Sequence, residues 1–73
     1  MIAEADRVEL TSSHRHLLRE RRKALRLRRK VLARVLGLTL GAFNKYEAGE
    51  RRPPRQLLDA WQAALDEARR EAA

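Results

Sequence analysis

Ten of the twenty residues from Arg15 to Arg34 are arginine or lysine and Glu20 is the only acid among them, so this stretch carries a formal charge of +9. Cations at that density suit one chemistry above others: they hold polyanions, whose condensed counterions are released on contact. The excess is local. Met1 to His14 sum to −2, and from Val35 to Ala73 six basic residues meet six acidic ones, so the net charge of +7 belongs to one segment. A merely solvated face would interleave its signs. Arg28, Arg29 and Lys30 also crowd the start of an apolar-periodic segment. The positive end of a helix dipole disfavours a cation there by about 0.3–1 kcal/mol, and an incoming phosphate reverses that penalty.

Other chemistries have little to build on. The chain has no cysteine, which removes disulfides, a thiolate nucleophile and a Cys-type zinc site. His14 and His16 lie too close together to form a metal site without carboxylate help, and they read as solvated side chains opening a helix. Neither a nucleophile–base pair nor a carboxylate pair stands at helical spacing in an apolar setting, so an enzyme is not expected. No metal or cofactor is implied. The longest apolar runs, Val35-Leu36 and Ala63-Ala64-Leu65, fall far short of the roughly 20 residues of a membrane span. Met1 to Asp6 lack the cationic start of a signal peptide, and the expected location is cytoplasmic.

The elements that must position these cations read as helices. Glycine and proline are scarce and clustered, at Gly37, Gly41, Gly49, Pro53 and Pro54, while Ala, Leu, Arg and Glu dominate. Seventy-three residues make one domain with a thin core. Residues 1–11 read as a flexible acidic arm and 12–73 as the folded domain. Thr11, Ser12 and Ser13 offer caps for a first helix to about Leu25, with Leu17, Leu18, Ala24 and Leu25 as its inner face. A second helix is predicted from Arg28 to Leu36, with an apolar stripe of Val31, Leu32, Val35 and Leu36, stopped by Gly37. Thr39 caps a third, about nine residues long, which turns Ala42, Phe43 and Tyr46 inward and ends at Gly49. After Pro53-Pro54 a last helix runs from about Arg55 toward Ala73.

Two helices joined by a turn as tight as Gly37-Leu38-Thr39 meet steeply and leave the second standing proud, a shape that fits the major groove of DNA. From Leu18 to Leu65 the sequence resembles the lambda-repressor/Cro-type, or XRE-like, helix-turn-helix family. The likeness rests on Leu32-Ala33-Arg34-Val35-Leu36-Gly37-Leu38-Thr39, then Phe43, Tyr46-Glu47-Ala48-Gly49 and Arg51-Arg52-Pro53. Gly41 to Glu50 is similar to the DNA-binding half of MqsA-type antitoxins, though no Cys-based zinc domain precedes it. The resemblance implies an all-α, compact lambda-repressor-like domain of four to five helices. It also implies sequence-specific binding of double-stranded DNA by a repressor or an autoregulating antitoxin, the latter with a toxin partner.

By the same resemblance the recognition helix spans about 39–47, and Leu40, Gly41, Asn44 and Lys45 face the bases. An amide suits adenine and an ammonium suits guanine, while Leu40 suits a thymine methyl group and Gly41 a close backbone approach. Arg29 stands where the family often has a phosphate-binding Gln. With Arg28, Lys30, Thr39, Arg51 and Arg52 it makes the expected phosphate contacts. Arg21 occupies a first-helix position that is usually apolar in the family.

In the last helix Leu58, Trp61, Leu65, Ala68 and Ala72 fall at coiled-coil spacing. Either these residues close the core of a monomer, or Trp61, Leu65 and Ala68 form the seam of a homodimer that reads a palindromic operator. A second reading of the whole chain keeps the helical scaffold but gives the basic block RNA or an acidic partner protein.

Overall fold

The computed structural model describes residues 6–72, which form four helices: α1 (Ser12–Ala24), α2 (Arg29–Val35), α3 (Leu40–Ala48) and α4 (Arg55–Ala72). Two of them start on threonine caps. Thr11 Oγ1 accepts from His14 N–H at 3.0 Å and Thr39 Oγ1 from Ala42 N–H at 3.1 Å, each satisfying a donor that the first turn leaves unpaired. Replacing Thr11 by Ala is expected to cost about 1 kcal/mol, read as a lowered urea midpoint with an unchanged m-value.

Three helices end the same way. After α1, Leu27 N–H reaches Arg22 C=O and Arg26 N–H reaches Lys23 C=O. After α2, Leu38 and Gly37 repeat this on Ala33 and Arg34, and after α3, Glu50 and Gly49 do so on Lys45 and Tyr46. This closure puts one residue in the left-handed region. Gly37 (φ 71°) and Gly49 (φ 83°) take it without strain, but in the first case the residue is Arg26 (φ 54°). At Gly49 a side chain would also strike the Arg15 guanidinium, 2.5 Å from where its Cβ would stand.

The core is Leu18, Leu32, Ala33, Phe43, Tyr46, Leu58, Trp61 and Leu65, with Leu10 added from the N-terminal segment. Phe43 meets Trp61 edge to face, 5.2 Å between centroids, which fastens the short α3 to the longest helix.

Several inner-face expectations are corrected. On α1 the buried positions are Leu18 and Arg22, whereas Leu17 is 59% exposed and Ala24 is exposed. On α2 Leu32 and Ala33 are buried, and Val31 and Val35 are 42% and 66% exposed. The cause is geometric: neighbouring residues on a helix point about 100° apart, and seven residues packed on so small a core bury one narrow strip. Arg21 does not enter the core; its Nη2 pairs with Asp66 at 2.6 Å on the rim.

Of the arm expected over residues 1–11, Met1 to Ala5 lie outside the described residues, and residues 7–10 are packed against the helices. Arg7 forms an antiparallel bridge with Pro54, Val8 N–H donates to Pro53 C=O at 2.8 Å, and Leu10 is buried. Residues 7–10 therefore belong to the fold, drawn in by apolar Val8 and Leu10 on the Pro53-Pro54 corner.

Candidate nucleic-acid interface

The connection from α2 to α3 is four residues, Leu36 to Thr39, turned by the left-handed Gly37. α3 buries Phe43, Tyr46 and Glu47, which leaves Leu40, Gly41, Lys45 and Ala48 on its open side. Hydrophobic packing on one flank and capping at Thr39 and Gly49 hold this nine-residue helix, since its propensity alone is too weak.

Beneath it lies an ion pair that joins α1 to α3. Arg22 Nε donates to Glu47 Oε2 at 3.0 Å and Arg22 Nη1 to Leu27 C=O at 3.0 Å, with both charged side chains nearly sealed from solvent. Glu47 Oε1 also stands 3.5 Å from Arg29 Nε at the start of α2. One carboxylate thus fixes the depth of α3 against α1 and tethers an otherwise exposed guanidinium beside it.

The sequence over residues 18–71 matches the family model described as helix-turn-helix. This chain belongs to the XRE-type helix-turn-helix family. Members of that family are DNA-binding regulators, not characteristically enzymes. The match lends no support to a closer kinship with MqsA-type antitoxins. No curated protein and no solved structure matches the chain.

Within this helix-turn-helix the anticipated residues are distributed unevenly. Arg28, Arg29 and Lys30 are exposed together at the start of α2, where Arg28 supplies no side-chain cap. Arg51 and Arg52 are exposed in the loop after α3; Arg51 lies over the Tyr46 ring at 5.9 Å, and Arg52 reaches Glu9 at 3.7 Å. The Thr39 hydroxyl oxygen is occupied by its cap, which leaves its O–H free to donate. Leu40, Gly41 and Lys45 share the open side of α3.

Asn44 does not. It is half-buried, its Oδ1 is enclosed without a hydrogen-bond partner, and it lines a cleft with Arg19, Lys23, Arg29, Glu47 and Ala48. Position 44 lies one turn along α3 from Leu40, where Arg19 and Lys23 of α1 and Arg29 of α2 flank the helix. The dimer seam expected on α4 is likewise corrected for two of its members. Trp61 and Leu65 have no exposed surface and fill the monomer's core, while Ala68 is half-buried. The same spacing serves either use, and a thin core claimed the large side chains.

Sequence reasoning missed Arg22 and Glu47 as positioning residues, and Arg19 and Lys23 as lining ones. Nothing in their types or in the 25-residue separation of the pair gave a signal.

Proposed function

We propose that this chain is a sequence-specific double-stranded DNA-binding regulator whose α3 enters the major groove. The observation that carries the reading is the arrangement around α3. Its inner face is closed by Phe43, Tyr46 and Glu47, its outer face is open, and Arg29 is held beside it by Glu47. In this reading Leu40, Gly41 and Lys45 meet base edges, and Arg28, Arg29, Lys30, Thr39, Arg51 and Arg52 meet phosphates. The regulator acts as a repressor or an autoregulating antitoxin, the latter with a toxin partner, and works in the cytoplasm; among the described residues no helix is long and apolar enough to cross a membrane. It binds as a homodimer to a palindromic operator with half-sites about 34 Å apart. Because Trp61 and Leu65 are enclosed, the subunits meet through other surface.

Selection of bound sequences from random duplex DNA at one stated salt concentration tests this. Enrichment of a motif is expected, and a palindromic motif carries the dimer with it. Absence of enrichment overturns base reading and leaves RNA or an acidic protein as the partner of the basic block. Arg29→Ala is expected to weaken all duplexes about equally and to flatten the dependence of log K on log salt by about one unit. An unchanged slope would take Arg29 out of the interface.

A further inference from the structure

The side of α1 that carries Leu17, Arg21 and Ala24 turns away from the α2–α3 pair. These three positions fall within about 60° of one another around the helix and at least about 120° of Leu17 separates it from Arg19 and Lys23, which line the cleft against α2 and α3. Leu17 is left in water there. It is 59% exposed, while the helix's other leucine, Leu18, is sealed in the core.

Two turns further on, the same side opens into a notch of 260 Å³ between α1 and α4, lined by Arg21, Ala24, Leu25, Leu65 and Arg69. That volume is many times the roughly 30 Å³ of a water molecule, and the wall between the arginines is aliphatic, so the fitting occupant is a branched aliphatic side chain. The two arginines at the rim differ. Arg21 Nη2 is taken by Asp66 at 2.6 Å, whereas Arg69 has no carboxylate in ion-pair reach among the described residues. A partner that suits this notch therefore brings an aliphatic side chain with an acid beside it.

The chain carries that combination itself. Glu20, the only acid of the basic block from Arg15 to Arg34, stands one turn from Leu17 on an exposed part of α1, and its contact with Lys23 is loose at 3.6 Å. Leu17 and Leu25 are eight residues apart, about 12 Å along a helix. A two-fold axis passing near Arg21 and relating two antiparallel α1 helices thus seats each Leu17 in the other copy's notch. The same operation carries each Glu20 toward the other copy's Arg69. Every contact is then made twice.

We propose that this face of α1 and α4 binds a second copy of the chain, with Leu17 entering the notch and Glu20 pairing with Arg69 across the two-fold axis. The proposal rests on the homodimer reading above and supplies the surface that reading leaves open, on the side of α1 away from α3. With its 13 residues α1 is about 20 Å long, so the contact falls at the small end of specific interfaces and the dimer is a weak one.

The test is sedimentation of the full chain without DNA, from micromolar to millimolar concentration. The wild type is expected to pass from monomer to dimer over that range. Leu17→Lys sets an ammonium against two guanidinium groups and is expected to raise the dissociation constant at least about 100-fold, because the change enters the interface twice. Ala24→Gln fills the notch from its rim and is expected to act in the same direction. Glu20→Arg and Arg69→Glu are each expected to weaken the dimer alone and, combined in one chain, to restore most of it. Leu17, Glu20, Ala24 and Arg69 are all exposed, so every variant is expected to fold with the wild-type Trp61 emission.

A wild type that stays monomeric throughout, or Leu17→Lys and Ala24→Gln variants that dimerise as the wild type does, overturns the surface. Charge reversal without rescue overturns the pairing of Glu20 with Arg69. The regulator reading is decided separately by the duplex selection. A chain that dimerises through this face and enriches no motif keeps the surface and loses the regulator, and one that enriches a motif while ignoring Leu17→Lys does the reverse.

Discussion

Glu47→Ala is expected to remove most of the protein's stability at room temperature. The carboxylate is sealed between helices and holds Arg22, whose remaining partner is the Leu27 carbonyl. Without it a guanidinium stays in the interior with its charge uncompensated, a situation that costs about 3–5 kcal/mol. Domains have about 5–15 kcal/mol in total, and one of this length sits at the low end because it buries so small a share of its surface. Urea unfolding followed by the single, core-buried Trp61 reads the loss directly. Replacing both partners, Arg22→Met with Glu47→Leu, is expected to restore most or all of the stability, since apolar side chains of similar volume spare the desolvation of two ions. A Glu47→Ala cost below about 1 kcal/mol would show that the pair is wet in solution and that it does not set the depth of α3.

That pair also marks where the sequence stopped being legible. The four helices, their threonine caps and the stops at Gly37 and Gly49 followed from local chemistry, because each signal acts within one turn of itself. Burial did not, because it is decided across the chain. α1 has two leucines, Leu17 and Leu18, with Leu25 at its C-cap, and they are compatible with two helical registers about 100° apart. The choice between them was made by Arg22, which enters the core only because Glu47 waits there. On α2 the apolar residues outnumbered the space available, so Val31 and Val35 were left on the surface. The acid count of the first residues concealed a docking segment whose apolar content is just Val8 and Leu10. On α4 one spacing described both a core and a seam.

The site divides along the same line. Residue type pointed to Asn44 as a base reader, and the side chains of α1 and α2 wall it into the cationic cleft. The flanking cations were legible as a block, because charge excess is a sum over residues and needs no register. Which of them converge was not, since Arg19, Lys23 and Arg29 are brought together by the angle between α1 and α2.

Specificity should consequently collapse onto Lys45. With Asn44 facing α1, Lys45 is the hydrogen-bonding side chain among the anticipated base readers on the open side of α3, and Leu40 and Gly41 offer only apolar contact and closeness. Lys45→Ala is expected to cost about 1–3 kcal/mol of discrimination, roughly 5- to 150-fold, at one base pair of each half-site and little elsewhere. Asn44→Ala is expected to leave the ranking of sequences unchanged. Gly41→Gln supplies the converse: a Cβ there meets nothing within 4 Å, so the fold accepts it, and the helix gains from losing a glycine. The new amide stands on the open side and is expected to shift the selected motif toward adenine at the facing position. Repeating the random-duplex selection with the three variants reads all of this at once. A motif that changes with Asn44→Ala and not with Lys45→Ala would mean that α3 enters the groove on a different face, with the Asn44 side swung away from α1.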